Sequence, residues 1–434
     1  MLTLRTFFTL CLALAAVSSQ AQERESVAEF LRENLPRYAA MYRELHAAPE
    51  LSFEEKETSQ KMAARLRDLG FEVTEKIGGY GVVGVLKNGA GPTLLLRSDL
   101  DALPVVEETG LEYASKVRTV TKRGETVGVM HACGHDMHMT MLTASLDYLA
   151  HHRDEWQGTL IAMFQPAEEL GAGAKAMIAD GLLTKFGRPD YALALHVAAD
   201  KEAGKVFLRG GFVFANVDSV DITVHGRGGH GAFPHMTCDP IVIAAKLIVD
   251  LQTIASREAK PTDPVVVTVG AIQGGTKHNI IPDDCKLQLT VRSYGEKSRE
   301  KVLAAIQRKA NAAAASAAAP EPTIEFSEGT PALYNDPELA ARLQAILRNS
   351  LGEENVVEAE PTMGGEDFGR IGGEGVPIVM ISVGAVEPER LKSYQDAGEI
   401  PSLHSAKFYP QIESTITTGT TVLTSAALEL LGKD

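Results

Sequence analysis

The densest chemistry in the chain is the stretch HACGHDMH at 131–138, which puts a thiol, three imidazoles and a carboxylate within eight residues. Cys133 and His135 are two apart, so on an extended or loop backbone both side chains face one side and can approach one cation. His131 and His138 read as polar residues flanking a helix start. Three more ligand-rich contexts follow. In FQPAEELGAG (164–173) an apolar run stops at Pro166 and delivers two adjacent carboxylates, Glu168 and Glu169. In YALALHVAAD (191–200) a buried strand is expected to end at His196, and in IPSLHSAKFY (400–409) His404 falls in a loop before the C-terminal helix. A Cys, three His and a Glu exceed what one tetrahedral ion requires, so two ions sharing a bridging ligand are the economical reading, and that implies hydrolysis. The paired acids suggest a division of labour in which one glutamate binds metal and its free neighbour takes a proton from the activated water. Alone, such a pair would read as a solvated helix start.

These strings occur in an ordered series with HxxPELSFEE (46–55), RSDLDALPVVEETG (97–110), GRGGHGAFPH (226–235), HNIIPDDCKLQLTVRSY (278–294) and MGGEDF (363–368). The series, running from about residue 35 almost to the C-terminus, resembles the amidohydrolase branch of the aminoacylase and carboxypeptidase metallohydrolases. That branch includes hippurate hydrolases, N-acyl-amino-acid amidohydrolases and auxin-conjugate hydrolases. The resemblance implies that Cys133, His135, Glu169, His196 and His404 hold two divalent metal ions and that Glu168 is the general base. The wider superfamily has His-x-Asp where this chain has Asp99-Leu100-Asp101. Asp99 therefore stays outside the expected ligand set, and Asp101 takes the supporting role of orienting the cluster; read without the resemblance, Asp101 is a turn or helix cap. The resemblance also implies that His230 comes over the active site, often from the second subunit of a dimer, and polarises the scissile carbonyl. On its own a loop histidine is a polar surface residue.

Asn279 and Arg292 are candidates to grip a substrate carboxylate, Arg292 in bidentate fashion; turn stabilisation and a surface ion pair are the alternatives. Gly365 and Glu366 are candidates to line the pocket, or else form an acidic turn. Zinc suits a thiolate with three imidazoles, while manganese, cobalt or nickel fit a mixed site. The expected reaction is hydrolysis of the amide bond of N-acyl amino acids or similar small conjugates. A dipeptidase or carboxypeptidase would use the same centre, and a binding protein on a degenerate scaffold is the reading outside catalysis.

To converge, these residues need a scaffold. The chain has 434 residues, 44% of them hydrophobic, enough for two domains with substantial cores. Strands alternate with helices up to about residue 210, which predicts an α/β catalytic domain with a mainly parallel sheet covered by helices on both faces. Its motifs fall at strand ends, where such sheets place chemistry. From 211 to 325 the pattern predicts an inserted α+β unit of βαββαβ, ferredoxin-like order, acting as lid and dimerisation domain. Residues 326–434 return to the catalytic domain, as His404 requires. The predicted organisation is thus 1–21 signal, 22–210 and 326–434 catalytic, with 211–325 inserted.

MLTLRTFFTLCLALAAVSSQAQ offers Arg5, an apolar core from Phe7 to Val17 and small residues ending at Ala21, which reads as a secretory signal cleaved after Ala21. The expected mature protein is periplasmic or secreted, holds no membrane span, and forms a homodimer through the lid. A formal net charge of −15 argues against nucleic acid as a partner. Export would permit a bridge between Cys238 and Cys285, although two small buried hydrophobes are the commoner outcome.

Overall fold

The computed structural model describes residues 25–121 and 124–433; the segment read as an export signal lies outside them. Helix α1 (Val27–His46) opens with a capping box in which Ser26 and Glu29 satisfy each other's backbone, and α2 (Lys56–Asp68) follows. Strands β1 (Glu72–Ile77), β2 (Gly81–Asn88) and β3 (Thr93–Asp99) lead to α3 (His135–His151), then β4 (Gly158–Gln165), α4 (Gly173–Ala179), β5 (Tyr191–Glu202) and β6 (Val206–Leu208).

The chain then builds a four-stranded antiparallel sheet. Its strands are β7 (Asn216–His225), β8 (Val265–Gly274), β9 (Asp284–Ser293) and β10 (Thr323–Glu328), in the order β8-β9-β7-β10. Helices α5 (Pro240–Thr253) and α6 (Glu296–Ser316) cover one face, where Val220, Ile222, Leu287 and Leu289 meet Ile243, Leu247, Val302 and Ile306. Residues 311–316 of the Ala-rich run NAAAASAAA (311–319) form the end of α6, Ala being the best helix former. After this unit come α7 (Pro337–Leu351), β11 (Val356–Glu358), β12 (Ile378–Val386) and α8 (Ile412–Leu431).

The large sheet has the order β1-β2-β4-β3-β5-β12-β6-β11. Neighbours are parallel through β4, β3, β5 and β12, but β1–β2, β2–β4 and β12–β6 are antiparallel. The expectation of a mainly parallel sheet is therefore corrected to a mixed one. The reason is local: Gly78 and Gly79, both at positive φ, turn β1 straight back into β2 as a hairpin, and no helix intervenes.

Helices flank both faces, and the strands show why. Leu94, Leu96, Leu193, Leu195, Val379 and Ile381 point into a core with α1, α2, α3, α7 and α8. The alternating Leu95, Ala192, Ala194, Ile378 and Met380 point into a second core with Met177 of α4 and Phe368. With period two and both faces apolar, these strands read as continuous hydrophobic runs. Helix α3 packs between α1 and α8 and is buried on nearly every side, which holds its first residue, His135, rigidly at the sheet's carboxyl edge. Among the described residues no helix is long and apolar enough to cross a membrane.

Candidate metal centre and active site

Four segments deliver most of the chemistry to one place, and the loop before α8 adds His404. At the end of β3 stand Asp99 and Asp101; after β4 the turn Pro166-Ala167 presents Glu168 and Glu169; β5 carries His196; the loop before α3 carries Cys133. Strand β5 does not end at His196, as the sequence suggested, but runs on to Glu202. Its pairing with β3 nevertheless stops at Arg97↔Ala194, so His196 lies just past the last paired residues, level with Asp99 at the end of that neighbour. Gly134 caps α3 at φ +84, and a Cβ there would lie 2.5 Å from Val197 Cγ2. Only glycine lets the loop turn this closely into α3.

The expected ligands converge. Cys133 Sγ is 3.6 Å from His196 Nε2, and donor atoms of Cys133, His135 and His196 lie within 4.8 Å of one another. The same holds for Cys133, Glu169 and His404, and for His135, Glu168 and Glu169. His404 Nε2, on an exposed side chain at φ +67, is 3.4 Å from Glu169 Oε1. His135 Nε2 faces Glu168 at 3.8 Å and Glu169 at 3.9 Å.

Tautomers follow from partners that can only accept or only donate. His135 Nδ1 donates to the Asp101 carbonyl at 2.8 Å, and His196 Nδ1 to the Val197 carbonyl at 2.8 Å. Both Nε2 lone pairs are thereby aimed at the cluster. His138 is different: its Nε2 accepts the Val197 N–H at 2.9 Å and its Nδ1 meets Asp99 at 2.7 Å, so its nitrogens are committed. His131 is also buried, and burial pushes its pKa down to about 4. Neither is the polar flank of a helix start that the sequence suggested, because α3 is sunk into the core from its first turn.

These groups fit divalent cations. His135 Nε2 and Glu169 Oε1 are buried without a hydrogen-bond partner, a costly state for protein groups alone. Burial opposes a charge on His135, yet Asp99, Asp101 and Glu169 outweigh it and raise its pKa to about 10, so that with no cation at Nε2 the ring would hold a second proton there. Burial raises Glu169 to about 7 against the pull of His135. Burial also lifts the Cys133 thiol far above its usual range, helped by Glu169, Glu168 and Asp99. The acids thus create a strong demand for positive charge at a point lined by soft and borderline donors.

Asp101 sits behind the cluster, taking the Ser52 hydroxyl at 2.6 Å and the Glu169 N–H at 3.0 Å. Glu168 is buried, and its pKa is raised by that burial and by Glu366, Glu169 and Asp367. A carboxylate so placed, with its proton held more tightly than usual, is suited to accept and return a proton.

Glu366 is not an open pocket wall: it is 1% exposed and binds Arg97 Nη2 at 2.8 Å, one residue beyond the exposed Gly365. Arg97, missed in the sequence, is wholly buried and also meets Asp99 at 2.8 Å and Asp367 at 3.3 Å. The available signal was a cation inside the apolar strand LLLRSD. Arg292 is half-buried, and its Nη1 lies 3.4 Å from where a Gly365 Cβ would stand. His230 and Asn279 are exposed on a short ribbon in which Gly229–His230 pairs with Ile280–Ile281. Among the described residues, neither side chain hydrogen-bonds to the cluster. Cys238 and Cys285 are free thiols.

Residues 95–429 match the model of peptidase family M20/M25/M40. The chain belongs to this family. Within it, the chain is 39% identical over 333 residues to thermostable carboxypeptidase 1 of Saccharolobus solfataricus, covering 76% of this chain and 81% of that one. It is 40% identical over 328 residues to the hippurate hydrolase of Campylobacter jejuni, covering 75% and 82% respectively. In structure it is similar to the Bacillus subtilis YXEP protein, described as a dinuclear metal-binding peptidase of the M20 family. The TM-score there is 0.76 at 29% identity, with 92% of this chain and 99% of that one covered. As a member of the M20/M25/M40 family with this donor cluster, the protein is a metal-dependent hydrolase of amide bonds.

Proposed function

We propose that the protein is an exported amidohydrolase that cleaves N-acyl amino acids or similar small conjugates, in the manner named for its hippurate hydrolase relative. The observation that carries this reading is Glu168, a buried acid with a raised pKa standing beside a convergent Cys, His and Glu donor set. A protein that only bound metal would have no use for it.

In this reading Cys133, His135, Glu169, His196 and His404 hold two divalent ions, zinc being the best match to the donors. Bound there, the ions would acidify water and polarise a carbonyl. Glu168 takes the proton of the attacking water and delivers it to the leaving amine, which makes the amine a competent leaving group. Asp101 holds His135 and the Glu169 amide in register. Arg292, half-buried with its only pKa shift coming from burial, is free to grip the substrate carboxylate beside Gly365, and Asn279 assists from the ribbon.

His230 donates to the carbonyl oxygen as negative charge develops, reaching the site when the 211–325 unit closes over it or when a second subunit presents it. Dimerisation through that unit has support in its exposed edge strand β8 and in the exposed Val242 and Val249 of α5. A peptidase action on dipeptides or C-terminal residues is the second reading, favoured by the likeness to the carboxypeptidase. Metal-supplemented assays on acetyl, benzoyl and indole-acetyl amino acids, with dipeptides as controls, test the proposal. Chelator-sensitive turnover of the acyl substrates is the expected result, and turnover of the dipeptides alone would replace it with the peptidase reading. N-terminal sequencing of protein recovered outside the cytoplasm should begin at Gln22.

A further inference from the structure

Glu55 is 0% exposed, an unusual fate for a carboxylate, and the proposed reaction gives it no role. It stands at the N-cap of α2 yet makes no capping bond to that helix. Its Oε1 instead accepts the N–H of Phe53 at 2.9 Å and, across the fold, the N–H of Ala167 at 2.8 Å.

Ala167 is the residue that must turn the chain between β4 and the two glutamates. It does so at φ +49, in the left-handed region that a residue with a Cβ rarely occupies. Its carbonyl is held from the other side by the Gly173 N–H at 3.1 Å, at the start of α4. Gly173 is packed so tightly that a Cβ there would lie 1.5 Å from the Pro166 carbonyl oxygen. The turn is therefore clamped at both of its polar groups, and Glu55 is the clamp on the amide side.

The same short segment reaches the turn a second time. The Ser52 hydroxyl donates to Asp101 at 2.6 Å, and Asp101 accepts the Glu169 N–H at 3.0 Å. The segment is itself fixed to β3's extension, since Ala102 donates its N–H to the Glu50 carbonyl at 2.8 Å.

We propose that Glu55 is a positioning residue for hydrolysis: its carboxylate holds Ala167 in the left-handed conformation that aims Glu168 and Glu169 at the cation site. The assignment rests on the roles given above to those two glutamates. It requires a hydrogen-bond acceptor at 55 and does not require a charge. Glycine at 167 would reach the same φ without the clamp.

The test uses full-length, metal-saturated enzyme and the best acyl amino acid substrate, with zinc affinity measured by competition with a chromophoric chelator. Glu55→Ala should lower both kcat and zinc affinity by about 10- to 100-fold, with KM changed by less than about threefold. Glu55→Gln, which keeps the carbonyl acceptor, should stay within about threefold of the wild type in both quantities. Glu55→Asp keeps the charge but withdraws the acceptor by one methylene, so it should lose activity as Glu55→Ala does. Adding Ala167→Gly to Glu55→Ala should recover at least about threefold in kcat.

Wild-type kcat and zinc affinity in Glu55→Asp or Glu55→Ala would overturn the proposal, and so would a Gln variant as impaired as the Ala variant. Should Glu55→Ala not fold, the contrast between Asp and Gln decides alone. Glu168→Gln serves as the control for the underlying reading. If it stays active, the reading of the site fails, and the zinc affinities of the Glu55 variants still decide whether the clamp exists.

Discussion

His46 closes α1 and is only 1% exposed, with Asp136 at 2.7 Å from its Nδ1 and Glu107 at 3.0 Å from its Nε2. Asp136 is the residue after His135, so this imidazole ties the end of one helix to the start of the helix that presents the centre. Burial alone would push its pKa down, but the two carboxylates outweigh burial and raise it to about 9. In the unfolded chain a histidine titrates near ~6.5. A proton bound more tightly in the folded state stabilises that state fully below the unfolded pKa and is lost as pH rises through the folded one.

The gap corresponds to about 3 kcal/mol, with a slope of about 1.4 kcal/mol per pH unit between the two values. His46→Gln removes the titration and keeps one donor. Urea unfolding of wild type and variant should be measured in matched chelator-containing buffers from pH 6 to 10, so that titrating groups remote from His46 cancel in the difference. The stability difference should be about 3 kcal/mol near pH 6 and shrink to under about 1 kcal/mol by pH 10. Parallel curves for the two proteins across that range would refute the charged, doubly paired imidazole.

Other expectations concern the site and its loop. Glu168→Gln should keep bound metal in elemental analysis while losing at least ~10²-fold in rate, whereas Glu169→Ala should lose metal as well. Gly134→Ala should cost about 2–4 kcal/mol in chemical denaturation, since it adds overpacking against Val197 to left-handed strain. Gly89→Ala, at the same φ of +84 but with open space around it, should cost only ~1 kcal/mol, and equal losses would remove the packing argument. His230→Ala should depress kcat with metal content unchanged, and its mixture with Glu168→Gln subunits should regain activity if the imidazole is supplied across a dimer.

The candidate ligands were legible because each lies in a short string of unusual density, and because four such strings cannot easily be explained separately. What surrounds them was not legible. Arg97 sits in a strand that reads as plain core, and its three acidic partners come from positions 99, 366 and 367, so only the folded chain brings the charges together. Glu55 reads as a helix start, which it is by position, while its bonds go elsewhere. The sheet was overestimated as parallel, since strand and helix alternation carries no information about hairpins such as β1–β2. Strand β12 was overlooked in a segment read only as a return to the first domain. Its run IVMISVGAV is apolar enough to have signalled a strand buried on both faces.

That strand has a consequence for how the protein comes into being. β12 lies in the middle of the large sheet, between β5 and β6, although it is the last strand to be synthesised. Until residue 386 is available, β5 carries an open edge in what will become the centre of the sheet, and His404 is absent from its companions. A chain that stalls or is clipped after the 211–325 unit would keep that adhesive edge and have no complete ion site to stabilise it. Folding of this protein is therefore governed by its tail. Fragments lacking the last ~60 residues, and with them β12, should aggregate rather than persist as a working half.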